Sequence, residues 1–107
     1  MSGNQRCRAC KPVPEEVRRA ADLLERRWSF SILYASMEGA ARFGEFRQAV
    51  GGIPPNTLSD RLRELEEAGV LERHLVAASP PFSEYRLTAS GRRLVPVVRA
   101  MQRWINA

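Results

Sequence analysis

Histidine, lysine and cysteine are scarce in this chain: one His, two Cys, and a single lysine, Lys11, among 17 basic residues. That scarcity excludes several kinds of chemistry. A structural zinc ion takes about four ligands, and Cys7, Cys10 and His74 fall short within one chain. Two cysteines close together are no disulfide framework, which agrees with a reducing compartment. With one histidine, no nucleophile motif and no glycine-rich phosphate loop, nothing points to catalysis. The chain is expected not to be an enzyme and to need no cofactor. No apolar run approaches the roughly 20 residues that span a bilayer. The start, Met1-Ser2-Gly3-Asn4-Gln5-Arg6, has no signal-peptide apolar core. A cytoplasmic protein without membrane contact is the expectation.

What is present is arginine. The net charge is +5 and the sequence pI about 10.2, a balance that suits an anionic partner such as nucleic acid. Arginine makes planar bidentate contacts to phosphate and guanine edges, although high genomic G+C would enrich it equally. At 107 residues with 44% hydrophobic content, the chain is one domain with one core. Residues 1–13, with Arg6, Arg8 and Lys11, carry no apolar periodicity and read as a flexible basic arm. Residues 14–107 read as the folded domain.

The pattern from Pro14 onward is helical. Pro14-Glu15-Glu16 suits a first turn, with carboxylates near the positive end of the helix dipole. Val17, Ala20, Ala21 and Leu24 carry a stripe to about Arg27. A second helix, Trp28 to Met37, is apolar on several faces and stops at Gly39. A third, Arg42 to Val50, turns Phe43, Phe46 and Val50 inward. Gly51-Gly52 then leads into a fourth helix after Pro54-Pro55, with Leu58, Leu62 and Leu65 on one face. Thr57 or Ser59 is expected to cap its start, and Gly69 to end it. Two short helices joined by a glycine-containing turn have the form of a helix-turn-helix. In that motif the second helix lies in the DNA major groove.

After Gly69 the period changes. Val70–Val76 reads as a strand, 77–83 as a turn, and Glu84–Leu87 as the returning strand. A hairpin directly after a helix-turn-helix is the layout of a winged helix. Thr88 is by residue type the cap of a last helix, about Ala89 to Ile105, which Pro96 should kink or delay. Leu94, Val97, Val98, Met101, Trp104 and Ile105 make that helix more apolar than one small core can bury, which supports dimerisation.

From about Val17 to Trp104 the chain resembles the HxlR family of bacterial transcriptional regulators, winged helix-turn-helix proteins related to the MarR group. Five phrases carry the resemblance, in order: Arg27-Trp28 with Ile32-Leu33; Gly39-Ala40-Ala41-Arg42-Phe43-Gly44-Glu45-Phe46-Arg47; Gly52 through Glu66; Gly69-Val70-Leu71-Glu72-Arg73; and Pro80-Pro81 with Glu84-Tyr85-Arg86-Leu87-Thr88. The resemblance implies a mainly α fold with a small β-hairpin, flanked by N- and C-terminal dimerisation helices. It implies a homodimer on double-stranded DNA at a palindromic operator. The sequence departs from the family at Phe82-Ser83, where members often carry Arg at the wing tip.

On this reading Pro55, Asn56, Thr57, Ser59 and Asp60 approach base edges, and Arg61 and Arg63 reach bases or phosphate. Arg42 and Arg47 on the third helix, and Arg73 and Arg86 on the wing, are candidate phosphate contacts. The fourth helix also carries Glu64, Glu66 and Glu67, so an alternative is a winged helix that binds protein rather than DNA. Cys7-x-x-Cys10 has three readings: unused thiols, a zinc site pooled across a dimer, or a redox sensor whose thiolate is favoured by Arg6, Arg8 and Lys11. The resemblance supports the sensor, since some members respond to electrophiles or oxidants through one cysteine before the first helix. An unidentified small-molecule effector is equally compatible with it.

Overall fold

A computed structural model describes residues 10–107. In chain order it contains α1 (Glu15–Leu24), α2 (Ser29–Met37), α3 (Phe43–Ala49), α4 (Pro55–Glu67), β1 (Leu71–Val76), β2 (Phe82–Leu87), α5 (Ala89–Arg92) and α6 (Val95–Asn106). The two strands form one antiparallel hairpin, with Leu71 opposite Leu87 and Val76 opposite Phe82. The mainly helical fold with a two-stranded wing agrees with the sequence reading.

α1 begins as expected, with the Pro14 carbonyl accepting from the amides of Val17 and Arg18 at 3.1 and 3.0 Å. It ends at Leu24 rather than near Arg27. The cause is Trp28, which takes a left-handed backbone conformation with φ 81°. That geometry costs an L-residue about 1–2 kcal/mol and turns the chain sharply into α2. The half-buried Trp28 side chain packs against the core, which offsets part of the cost.

The core is one cluster. Ile32, Leu33 and Ala35 of α2 meet Phe46 and Val50, Ile53, the α4 stripe Leu58-Leu62-Leu65, and Val70-Leu71. α4 starts at Pro55, where the missing proline amide is no loss. Neither Thr57 nor Ser59 caps it, contrary to expectation; Pro54 occupies the N-cap without a side-chain bond, and its carbonyl accepts from Leu58 at 2.9 Å. The C-terminus is as read: Gly69 is left-handed, its amide bonds Glu66, and the Val70 amide bonds Leu65. These two bonds form a Schellman motif.

The wing is longer than expected, because Phe82 and Ser83 belong to β2 and pair with Val76 and Leu75. Its root is tied to the helices by the Tyr85 amide, which donates to Ala41 at 2.7 Å. Thr88 caps α5, accepting from Gly91 at 2.9 Å while its hydroxyl donates to the Gly69 carbonyl. The expected single last helix is two. Pro96 cannot donate to the Arg92 carbonyl, so α5 ends and α6 restarts with Pro96 in its first turn.

Candidate nucleic-acid interface

α3, the turn through Gly51 and Gly52, and α4 build the site. Gly52 has φ +85°, a conformation that favours glycine. With Leu58, Leu62 and Leu65 turned to the core, helical spacing puts Asn56, Ser59, Asp60 and Arg63 outward, and all four are exposed. Pro55 is exposed in the first turn and Thr57 is half-buried. Arg63 pairs with Asp60 at 3.3 Å, an exposed (i, i+3) pair of little strength.

Arg61 sits differently. Its guanidinium turns beside the leucine stripe, donating from Nε to the Arg27 carbonyl at 2.9 Å and from Nη1 to Glu64 at 3.1 Å. Glu64 also accepts from Arg26 at 3.1 Å. Arg61, expected to reach bases or phosphate, is instead engaged with the α1–α2 corner together with Glu64.

On α3, Arg47 is exposed in the last turn. Arg42 precedes the first turn, and its guanidinium stacks on the Phe82 ring at 3.7 Å from the centroid. Stacking on a ring face leaves the planar N–H edges free to donate. Glu45 Oε1 accepts from the amides of Arg42 and Ala41 at 3.0 and 2.9 Å. These bonds, from Arg42 first and Ala41 second, hold its carboxyl below the usual glutamate range.

The hairpin register puts Arg73 and Arg86 on opposite faces. Arg86 pairs with Glu84 at 2.6 Å, and His74 with Glu72 at 2.8 Å. Arg73 is exposed on the face it shares with Tyr85. Arg42, Arg47, Arg73 and Arg86 thus lie on or beside α3 and on the hairpin rather than on α4 itself. The sequence does not foretell the stacking role of Phe82 or the capping role of Glu45. An Arg-x-x-Glu phrase carries half of a capping-box signal, and it was the one clue to Glu45.

Cys10 is disulfide-bonded, where composition led to reduced thiols being expected; Cys7 lies outside the described residues. Among the described residues no group of three or more His, Cys, Asp or Glu is arranged to hold a metal.

The family model for HxlR-like helix-turn-helix matches residues 23–107. The chain belongs to the HxlR-like helix-turn-helix family. Relatives include YvaP of Bacillus subtilis, 35% identical over 80% of both chains, and Rv3095 of Mycobacterium tuberculosis, 40% identical over 84% of this chain. Both are named as HTH-type transcriptional regulators of uncharacterised role. The chain spans only 56% of Rv3095. Among solved structures, reduced YodB of B. subtilis matches at a TM-score of 0.77, with 32% identity over 87% of this chain and 91% of that one. The redox regulator HypR, in its reduced form, matches at 0.77 with 36% identity over 84% and 89%. This HxlR-like chain is therefore a helix-turn-helix transcriptional regulator by family, and its winged fold is that of MarR-type neighbours. No helix of the described residues is long and apolar enough to cross a membrane.

Proposed function

We propose that this regulator binds double-stranded DNA sequence-specifically as a homodimer at a palindromic operator, in the cytoplasm. The observation that carries the reading is the outward face of α4. Small polar groups and one arginine (Asn56, Ser59, Asp60, Arg63) are exposed there on a helix whose other side is core. Pro55 and Thr57 complete its first turn. Arg42, Arg47, Arg73 and Arg86 supply the phosphate contacts that bring DNA to a helix with little attraction of its own. Affinity then falls steeply with salt, because each neutralised phosphate releases counterions.

The direct test is selection of binding sites from random duplexes by the protein, followed by affinity measurement. Arg63→Ala is expected to weaken binding to the selected duplex by about 1–3 kcal/mol if Arg63 reads a base. Unchanged affinity removes Arg63 from the reading set. Complete absence of salt-sensitive duplex binding favours the alternative, a protein-binding winged helix.

Control by thiol oxidation is the second part of the reading. It is supported by two neighbours, diamide-treated YodB and HypR, a redox regulator solved oxidised and reduced. Duplex affinity is to be compared with and without a thiol oxidant. An equal response from the Cys7→Ser/Cys10→Ser protein ends the sensor reading for these cysteines.

A further inference from the structure

The α1–α2 corner and the reading helix are joined by a charged network that the DNA-binding reading does not use. Arg61 of α4 reaches across to the carbonyl of Arg27 at 2.9 Å, and the same guanidinium holds Glu64 at 3.1 Å. Arg26, from the corner, closes on the other Glu64 oxygen at 3.1 Å. The Arg61 and Glu64 side chains are only 18% and 25% exposed, whereas Arg26 is 57% exposed. The carbonyl that Arg61 holds belongs to the residue just before Trp28, at the left-handed bend. Arg27 itself lies over the Trp28 ring at 4.6 Å. Two arginines, one carboxylate and one backbone carbonyl therefore converge where α1 turns into α2.

We propose that Arg61 and Glu64 are positioning residues, fixing the rotation of α4 against the α1–α2 corner so that Asn56, Ser59, Asp60 and Arg63 meet the groove in register. The leucine stripe already anchors α4 to the core, but apolar packing is non-directional. A planar guanidinium with two acceptors in fixed directions supplies the missing angular restraint. Since α1 is one of the helices assigned to dimerisation, the same network sets the reading helix relative to the dimer arm. The inference rests on the DNA-binding reading above.

The test compares affinity for a duplex selected by the wild-type protein with affinity for a scrambled duplex, across a salt series. Arg61→Lys keeps the charge, but its ammonium lacks the planar fork that serves Glu64 and the Arg27 carbonyl together. It is expected to lose about tenfold on the selected duplex, the equivalent of one such bond. It should lose little on the scrambled one and keep the salt slope. Arg47→Ala, a phosphate-type control, should weaken both duplexes alike and reduce the slope by about one. Arg26→Ala, at an exposed position, should repeat the Arg61→Lys pattern more weakly with an unchanged melting temperature. Full affinity for Arg61→Lys, or a reduced slope and equal losses on both duplexes for Arg61→Ala, makes Arg61 a simple charge contact and overturns the proposal. Failure of the wild type to select any duplex instead removes the DNA reading. Hydrogen exchange at the Ser29 amide, which donates to the Arg26 carbonyl at 3.2 Å, then tests the positioning role in the free protein: faster exchange in Arg61→Lys supports it, and no change overturns it.

Discussion

Gly91 shows how little room this small fold leaves at its joints. A Cβ built there would lie 2.1 Å from the Val70 carbonyl oxygen and 3.0 Å from a Leu87 methyl. Backbone cannot yield as a flexible side chain does, so the usual helix gain of alanine over glycine is outweighed. Gly91→Ala is expected to destabilise by about 1–3 kcal/mol, lowering Tm by about 4–8 °C per kcal/mol in a domain of this size. Thermal unfolding followed by circular dichroism checks it, and an unchanged Tm refutes the clash. Glu45 offers a second measurement, this time against pH. Its carboxyl is held low by the amides of Arg42 and Ala41, so the folded state favours the ionised form. That contribution is present above the ordinary glutamate value of about 4.3 and is lost as pH falls through the lowered folded value. Glu45→Gln should therefore melt below wild type at neutral pH, with the difference closing in strong acid. A pH-independent difference would show that shape alone, and not charge, makes the cap.

Helices with an apolar stripe and a marked end were legible from sequence, and those set by a distant partner were not. α4 could be read because Leu58, Leu62, Leu65 and Gly69 carry its period and its stop locally. Pro96 likewise announced the break before α6. The end of α1 was hidden, because Trp28 takes its left-handed turn for the sake of tertiary packing, and tryptophan has no preference for it. The same reason hid the orientation of Arg61 and the extra length of the wing. Phe82 has the sequence context of a turn, yet it pairs with Val76 and carries Arg42 on its ring. This stack has a consequence for DNA binding. The wing carries Phe-Ser where the family often has arginine, and Phe82 instead holds a helix arginine beside the wing. Arg42→Ala and Phe82→Ala should each weaken duplex binding, and their losses should fail to add by about 0.5–1 kcal/mol, the usual size of an exposed cation–π contact. Four affinities complete that double-mutant cycle. Additive losses would mean that Arg42 works without the ring.

Apart from Leu75 on the wing and Phe30 on α2, the exposed large apolar side chains among the described residues lie at or just before α1 and on α6. α1 has no buried residue, and Val17 is half exposed. On α6, Val98 alone is buried, while Val97, Met101, Trp104 and Ile105 are 44–70% exposed. Val97, Met101 and Trp104 follow one another at helical spacing, so they form a stripe rather than scattered contacts. A contiguous apolar stripe of this kind costs solubility in a monomer and is what a stable interface covers. The winged helix between α1 and α6 has its own core, so polar substitution of the α6 stripe should leave it folded. Met101→Glu/Trp104→Glu is accordingly expected to keep its melting cooperativity while sedimenting as a monomer at micromolar concentration. On a palindromic duplex its affinity should fall to that for a single half-site, because the second contact no longer benefits from the first. As the proposed homodimer, the wild type should instead distinguish the two duplexes strongly and tolerate poorly an inserted half-turn between half-sites, since reading helices in successive major grooves are expected about 34 Å apart. If the double variant keeps dimer mass and full operator affinity, the α6 stripe is not the dimer seam, and the exposed face of α1 becomes the surface to test.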